Sequence, residues 1–409
     1  MRGAATAAVA VLTMVAASAQ APPGPRWPLT VQPLPSPAAA RSGEPQLAAS
    51  ADRLVLSWIE QTGERATLKL AERTATGWSP ARVVASGDNW FVNWADVPSV
   101  IPLTGGRLAA HWLQKSGPGV YAYDVRLSFS SDGGNTWSPS VTPHHDRTQT
   151  EHGFASLFEM PEGALGLVWL DGRAMTPDPK PGQDHGAMTV RAGVFDRSGR
   201  QTSEVLLDDR ACECCPTAAA VTQDGPIVAF RNRTAEEVRD IYVSRFANGR
   251  WTVPVSVHAD NWKINACPVN GPALSARGSR VAISWFTVQQ DRGRAYVAFS
   301  RDSGRSFGSP IRVDDVMSLG RVDVEQLDDG SAVVGWIESA NQGAQFRIRR
   351  VTPEGDRSPS QVVSSIDAGR ASGYPRMARF GRELLFAWTD TGAQKQVRTA
   401  IAVLAPGRD

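Results

Sequence analysis

A short apolar segment that ends in a large aromatic residue recurs along the chain, and this repeat constrains the fold more than any other feature. The aromatic residues at the repeat are Trp58, Trp112, Trp169, Phe230, Trp285, Trp336 and Trp388. Successive members are 54, 57, 61, 55, 51 and 52 residues apart. A near-constant period slightly above 50 residues indicates that one supersecondary unit is copied along the chain.

Each unit contains four short segments of strand character separated by turns, whereas stretches with helical periodicity are nearly absent. Four short antiparallel strands per unit are typical of one blade of a β-propeller. The sequence therefore predicts an all-β propeller of seven four-stranded antiparallel blades. Six blades are the alternative, if one of the units is misread.

The seventh unit contains only three strand segments, whereas the extended segment 27–33, WPLTVQP, has no unit of its own. We expect segment 27–33 to pair as the missing strand of the last blade, because this closes the ring and removes two exposed sheet edges. The predicted organisation is a signal peptide over 1–19, a proline-rich leader over 20–43 that includes the closing strand, and a propeller over 44–409.

The first 19 residues have the three parts of a secretory signal: Arg2, an alanine-rich apolar stretch, and the small residues Ala17-Ser18-Ala19 at the cleavage site. We expect an exported protein, periplasmic or secreted, without an integral membrane segment, because no later apolar run reaches about 18 residues. The chain has 43 Lys and Arg against 41 Asp and Glu. This balance argues against nucleic acid as a partner, since nucleic-acid-binding proteins normally carry a surplus of positive charge.

Two turns share a motif between the third and fourth strands of their units. The segment 130–137 reads SSDGGNTW and the segment 300–307 reads SRDSGRSF. In such a turn the Asp side chain accepts backbone N–H groups and glycine supplies the positive φ. The motif resembles the Asp-box, or bacterial neuraminidase repeat, of the sialidase superfamily. The resemblance implies a propeller in which Asp132 and Asp302 hold structural hairpins far from the active centre.

The same resemblance implies the parts of a glycoside hydrolase site. A sialidase-like enzyme would need arginines for the substrate carboxylate, a Tyr nucleophile beside a carboxylate, and an acid/base Asp. The candidates near comparable strand ends are Tyr374, Asp96, Glu151, Arg173 and Arg231. The first functional hypothesis is thus an exported, glycan-directed propeller, either an exo-sialidase-like hydrolase or a carbohydrate-binding protein, with a small molecule or glycan as its ligand.

All four cysteines precede the inner strands of two neighbouring units: Cys212, Cys214 and Cys215 in the fourth, and Cys267 in the fifth. In a propeller these positions converge at one mouth of the central channel. Structural disulfides are one use of such cysteines in an exported chain. A copper or zinc thiolate centre, to which His152 could add an imidazole, is a second use, and a redox-active thiol site is a third. The alternative functional hypothesis is therefore a periplasmic metal-binding or thiol-redox propeller.

Overall fold

The strands form a seven-bladed propeller. The computed structural model describes residue 27, residues 29–176 and residues 185–404. Within these residues the strands form seven antiparallel sheets. The first strands of neighbouring sheets contact one another around the ring, and the first strand of the last sheet contacts that of the first. The prediction of seven blades is confirmed, and the signal peptide predicted for 1–19 lies outside the described residues.

The strands of the first three blades, from inner to outer, are β2 (Ser42–Ala49), β3 (Leu54–Thr62), β4 (Arg65–Thr74), β5 (Gly77–Trp78) and β6 (Arg82–Gly87); β7 (Ser99–Leu103), β8 (Arg107–Lys115) and β9 (Tyr123–Ser130); and β10 (His152–Glu159), β11 (Leu165–Asp171), β12 (Met188–Phe195) and β13 (Gln201–Ala211). Those of the fourth and fifth blades are β14 (Ala218–Thr222), β15 (Gly225–Arg231), β16 (Ile241–Ala247), β17 (Arg250–Trp251) and β18 (Val255–Ser256); and β19 (Ala273–Arg277), β20 (Arg280–Gln289), β21 (Arg292–Ser300) and β22 (Ile311–Arg312). Those of the last two blades are β23 (Ser318–Gln326), β24 (Ala332–Ser339), β25 (Ala344–Val351) and β26 (Gln361–Ile366); and β27 (Arg376–Phe380), β28 (Glu383–Asp390), β29 (Gln396–Val403) and β1 (Gln32–Leu34).

Helical structure in the described residues is limited to three single-turn 3-10 helices, at Thr104–Gly106, Pro161–Gly163 and Arg370–Ser372. None of the described helices is long and apolar enough to cross a bilayer.

The repeated aromatic residue lies in the second strand of every blade and is buried there. Each packs in an apolar cluster shared with the preceding blade; Trp58, for example, contacts the cluster that contains Leu385 and Ala387 of the last blade. Several of these indoles donate to an acid two residues further along the strand, as Trp169 Nε1 does to Asp171 Oδ2 at 2.8 Å. The repeat is therefore the element that packs each blade onto its neighbour.

The ring is closed by β1, which pairs with β29 in the register Gln32↔Ile401 to Leu34↔Thr399. The predicted closing segment does supply the outer strand of the last blade, but the strand covers 32–34 instead of 27–33. The preceding Trp27 and Leu29 instead pack against the core between the last two blades. The closure joins the two ends of the described chain in one sheet.

The second blade departs from the four-stranded pattern, because only β7, β8 and β9 form its sheet. The place of the fourth strand is taken by a single bridge between Leu127 and Val141. Pro139 and Pro143 flank this bridge, and proline has no N–H to donate to a strand ladder. The outer strand is therefore reduced to one paired position.

Both Asp-box turns adopt the expected hairpin. Asp132 Oδ1 accepts the backbone N–H groups of Asn135 and Thr136 at 3.0 and 2.9 Å, and Oδ2 accepts the Thr136 hydroxyl at 2.7 Å. Gly134 has a φ of 92° at the turn. The hydrogen bonds, those of the Thr136 hydroxyl first, hold the pKa of Asp132 well below its usual range. The carboxylate is thus committed to the hairpin.

Candidate functional site at one mouth of the channel

Because the strands are antiparallel, the segments that lead into inner strands and those that join second to third strands lie at the same mouth of the channel. The Asp-box turns, which join third to fourth strands, lie at the opposite end. The candidates that fall on the first two kinds of segment are Asp96, Glu151, His152, Arg173, Cys212, Cys214, Cys215, Arg231, Cys267 and Tyr374. The channel encloses a cavity of about 1180 Å³ whose lining includes Asp96 and Tyr374.

Three thiols form a compact cluster between β13 and β14. Cys212 Sγ lies 2.7 Å from Cys215 Sγ and 3.9 Å from Cys214 Sγ. Cys267, on the segment that leads into β19, contacts the Cys214 thiol from the neighbouring blade. Cys212 and Cys215 are buried, whereas Cys267 is exposed. Three thiols therefore form one cluster with a buried pair inside, and the exposed Cys267 approaches that cluster through Cys214.

Positive charge surrounds the buried end of this cluster. Arg239 Nη1 donates to Cys212 Sγ at 3.3 Å and to Glu213 Oε2 at 3.1 Å. Burial alone would raise the pKa of the Cys212 thiol, but contacts with the neighbouring thiols and the charges of Arg231 and Arg239 hold that pKa well below its usual range. The contact with the Cys214 thiol lowers the pKa of Cys267 to about 7. Cys212 and Cys267 thus favour thiolate, the form that binds metals and attacks disulfides, whereas contacts with the neighbouring thiols raise the pKa of Cys214 and burial raises that of Cys215.

Arg231 does not present its guanidinium to the channel. It is buried and donates to three backbone carbonyls, those of Asn270, Arg239 and Phe286, at 2.8, 2.6 and 2.6 Å. These bonds join the fourth and fifth blades beneath the thiols. Arg231 is therefore a structural support for the cluster, with no donor aimed at a substrate.

Tyr374 and Arg173 each contact partners in their own surroundings. The Tyr374 side chain is buried, stacks on Trp94 with ring centroids 6.1 Å apart, and donates its hydroxyl to Val269 O at 2.7 Å. Burial raises the pKa of this phenol above its usual range. Arg173 pairs with Asp171 and Glu204 at 2.7 and 2.8 Å. The hydroxyl and the guanidinium are thus both engaged by partners within the fold.

Asp96 and Glu151 lie close together, because both contact the hydroxyl of Tyr123. Tyr123 is not among the candidates selected from the sequence. The Tyr123 hydroxyl lies 2.9 Å from Asp96 Oδ2 and 2.7 Å from Glu151 Oε1. Asp96 Oδ1 accepts the Phe154 N–H at 2.7 Å, and Gly153 leaves room for the carboxyl, because a Cβ there would collide with Asp96 Oδ2. Tyr123 opens β9, a position that the repeat does not distinguish from other strand starts.

The contacts of Tyr123 require a shared proton. A phenol has one O–H, so it can donate to only one of the two carboxyl groups, and the other must donate its own proton to the phenol oxygen. Burial raises the pKa of Asp96 to about 7, and burial raises the pKa of Glu151 to about 8. The pKa of Tyr123 is also raised, by burial and by the charges of both acids. At least one of the two acids is therefore protonated beside the protonated phenol, and burial favours the neutral form of both acids.

The structure places His152 in a second cluster at the same mouth. Its ring stacks on that of His144, with centroids 3.7 Å apart and planes 5° apart. Asp146 Oδ2 lies 3.3 Å from His152 Nε2, and Asp124 Oδ1 lies 3.6 Å from His152 Nδ1. Burial lowers the pKa of His144 to about 4. The residues that gather around His152 are thus imidazole and carboxylate groups, and the three clustered thiols form a separate group.

No protein-family model matches the chain, and no curated protein matches its sequence. Solved structures do match its fold. A mutant of the NanB sialidase from Streptococcus pneumoniae aligns with a TM-score of 0.50 and 11% identity over 86% of this chain and 83% of that chain. The polysaccharide lyase Uly1 aligns with a TM-score of 0.54 and 11% identity over 89% and 90%. An α-L-arabinofuranosidase of Fusarium graminearum in complex with arabinobiose aligns with a TM-score of 0.50 and 15% identity over 78% and 95%.

These similarities establish the fold class. The chain has the sialidase-like β-propeller fold that the Asp-box motif implied, and this fold is shared by proteins described as a sialidase, a polysaccharide lyase and an arabinofuranosidase. One fold that carries several chemistries does not determine a substrate, so function has to be argued from the groups at the mouth.

Proposed function

We propose that the four-thiol cluster is a metal site that binds a thiophilic ion, Cu(I) or Zn²⁺, at the mouth of an exported propeller. The observation that carries this proposal is the spacing of the sulfurs. Cys212, Cys214 and Cys215 offer three Sγ atoms that all lie within 4.8 Å of one another. Thiolate sulfur selects Cu(I) and Zn²⁺ over harder ions. A three-sulfur set with a fourth thiol at its exposed edge fits an ion that is delivered to or removed from the protein.

The separations indicate how the site would close on an ion. At a Zn–S distance of about 2.3 Å, two thiolates on one tetrahedral ion lie about 3.8 Å apart. The 3.9 Å between Cys212 and Cys214 is already close to this value. The 2.7 Å between Cys212 and Cys215 is too short for it, so this pair must separate when the ion enters. The main competitor for the ion is therefore a disulfide within this pair.

The surrounding charges favour binding. Three thiolates around a monovalent ion leave a net negative charge, which is costly to bury without compensation. Arg239 contacts Cys212 Sγ directly, and Arg231 lies close enough to lower the pKa of the same thiol. Glu213 and Glu237 hold Arg239 in place at 3.1 and 3.0 Å. The fold thus positions cations beside the thiols before any ion binds.

A competition titration tests the proposal. Reduced protein is titrated under anaerobic conditions with Cu(I) held by a chromophoric chelator, and with Zn²⁺ in a parallel series. We expect the wild type to withdraw one equivalent of Cu(I) and at least one of Zn²⁺, and Cys212→Ser and Cys215→Ser each to weaken Cu(I) binding by at least tenfold. Ser203→Ala, on the exposed outer strand of the third blade, is the matched control and should bind like the wild type. If the reduced wild type competes for neither ion, the proposal is wrong.

A second candidate function is glycan-directed catalysis, and the group around Tyr123 favours it. A tyrosine between two carboxyl groups, Asp96 and Glu151, lies at the same mouth, and carboxyl groups with raised pKa values serve as general acids in glycoside cleavage. The channel cavity is large enough to hold a small glycan. Against this use, Tyr123 is fully buried, and Arg231 and Arg321 donate mainly to backbone carbonyls.

This second candidate has its own test. Fluorogenic sialosides and arabinofuranosides are offered to the wild type, and polysaccharides are followed for the unsaturated ends that a lyase produces. Catalysis through this group would be lost in Tyr123→Phe and in Glu151→Gln and kept in Tyr374→Phe. Turnover that survives both of the first two substitutions would exclude the group as the catalytic centre.

A further inference from the structure

A second cluster at the channel mouth, separate from the thiols, contains two buried histidines that stack face to face. His152 is completely buried and His144 is 5% exposed. One carboxylate faces each edge of the stacked pair. Asp146 Oδ2 is 3.0 Å from His144 Nδ1 and 3.3 Å from His152 Nε2, whereas Asp124 Oδ1 is 3.5 Å from His144 Nε2 and 3.6 Å from His152 Nδ1.

The Asp146 edge already has a cation. The Arg173 guanidinium lies 3.4 Å from Asp146 Oδ2 and pairs with Asp171 at 2.7 Å. Asp171 in turn accepts the indole N–H of Trp169 and the backbone N–H of Arg173. The oxygens at this edge are therefore engaged by donors from the protein.

The Asp124 edge has fewer such partners. Asp124 Oδ1 and His144 Nε2 are both buried, and neither has a hydrogen-bond partner within the described structure. The Asp124 carboxylate contacts the two histidines and the Ser116 hydroxyl, while Arg126 contributes charge at longer range and donates to Ser140 and Thr142. A buried acceptor without a partner is costly.

The hydrogen bonds of the rings show which nitrogen of His144 faces Asp124. His144 Nδ1 contacts the Asp146 carboxylate, which can only accept, so this nitrogen carries the proton. In a neutral imidazole the other nitrogen, Nε2, then holds a lone pair, and this lone pair faces the acceptor Asp124 Oδ1 across 3.5 Å. Two acceptors that face each other in a buried space need a positive charge between them, either a proton or a metal ion.

We propose that Asp124 Oδ1, His144 Nε2 and His152 Nδ1 bind a divalent transition-metal ion of the Zn²⁺ class. The donor set of two imidazoles and one carboxylate suits Zn²⁺, Co²⁺ and Ni²⁺, whereas the thiols suit softer ions. Asp146 is the outer-shell partner that orients His144, in the way that carboxylates orient metal-bound imidazoles. For both lone pairs to point at the ion, the two rings, now 5° from parallel, must tilt away from each other, and His152 exchanges its 3.2 Å contact with Thr150 O for the ion. This site does not depend on the thiol site and remains if the thiols bind nothing.

Cobalt distinguishes the two sites, because Co²⁺ bound to thiolate gives an intense charge-transfer band that Co²⁺ bound to imidazole and carboxylate lacks. The background for the test is the full chain with all four cysteines changed to serine. We expect this protein to bind one Co²⁺ without the thiolate band. In the same background His144→Gln and Asp124→Asn should each weaken Co²⁺ binding at least tenfold. The exposed neighbour His145 provides the matched control, and His145→Gln should bind like its parent.

A thermal measurement distinguishes a variant that has lost the ion from one that has not folded. Zn²⁺ should raise the melting temperature of the wild type and of His145→Gln. In folded Asp124→Asn the rise should be smaller, because only the thiols can then bind the ion. If the cysteine-free protein does not fold, the wild type is saturated with Co²⁺, and a second equivalent without a thiolate band is expected. The proposal is overturned if no such equivalent binds, or if His144→Gln and Asp124→Asn bind Co²⁺ as tightly as their parent.

Discussion

The buried carboxyl of Asp96 should make the stability of the protein fall as the pH rises through the neutral range. In the folded protein burial raises the pKa of Asp96 to about 7 from the ordinary value of 3.8. Between these two values the unfolded chain is ionised at this position and the folded chain is still protonated. The folded state therefore binds more protons, and the free energy of unfolding decreases with increasing pH.

The size of the effect follows from the pKa difference. One proton bound in the folded state and absent from the unfolded state changes the free energy of unfolding by about 1.4 kcal/mol per pH unit. Because the folded carboxyl is half ionised near pH 7, the Asp96 carboxyl should remove about 2 kcal/mol of stability from about pH 5 to about pH 7. Asp96→Asn keeps the shape and an acceptor for the Phe154 N–H but cannot ionise, so it should abolish this part of the slope.

The assay is urea unfolding of the wild type and Asp96→Asn at both pH values. Glu151 contributes a slope of the same sign to both proteins, because burial raises its pKa; since the Asp96 charge adds to that rise, the difference between the two proteins measures Asp96 together with its coupling to Glu151. We expect the wild type to lose about 2 kcal/mol relative to Asp96→Asn as the pH rises over this range. If the difference between the two proteins is the same at both pH values, the shared-proton interpretation of the Tyr123 group is refuted.

Three further predictions test the fold and the thiol cluster. Asp132→Ala should lower the melting temperature by a few degrees and leave metal binding unchanged, because the carboxylate accepts only within its own hairpin; loss of metal binding at unchanged stability would contradict this. Removal of residues 27–34 should expose the edge of β29, lower the melting temperature and cause concentration-dependent association on gel filtration, whereas a monodisperse protein of wild-type stability would argue against ring closure by β1. Arg239→Gln should raise the pKa of the Cys212 thiol and slow its alkylation at neutral pH in reduced, metal-free protein, as mapped by mass spectrometry; an unchanged rate would show that the guanidinium does not stabilise the thiolate.

Most of the fold could be predicted from the sequence, because one buried aromatic residue per blade is needed to pack each sheet onto the preceding one. The seven positions from Trp58 to Trp388 mark the second strand of every blade. The closing strand was predicted at 27–33 and lies at 32–34, because Trp27 and Leu29 bind the core instead of extending the sheet. The reduced outer strand of the second blade depends on a local proline pattern that the repeat does not contain.

Less could be predicted of the site than of the fold, because the position of a residue along a strand does not determine the direction of its side chain or its hydrogen-bond partners. The convergence of the four cysteines follows from their place before two adjacent inner strands. Tyr123 could not be distinguished from Tyr374, since each precedes or opens a strand at the mouth, and only the contacts show that Tyr123 is the one beside Asp96 and Glu151. The pairing of His152 with His144 depends on the conformation of the segment before β10, which shows no periodic signal.

The most direct test of the thiolate site is native mass spectrometry on protein isolated without added metal or reductant. We expect a chain that carries at least one copper or zinc ion, and the mass of the polypeptide released by acid should correspond to four free thiols. A metal-free chain lighter by two hydrogens for each disulfide would contradict the account and assign the cysteines to structural bridges.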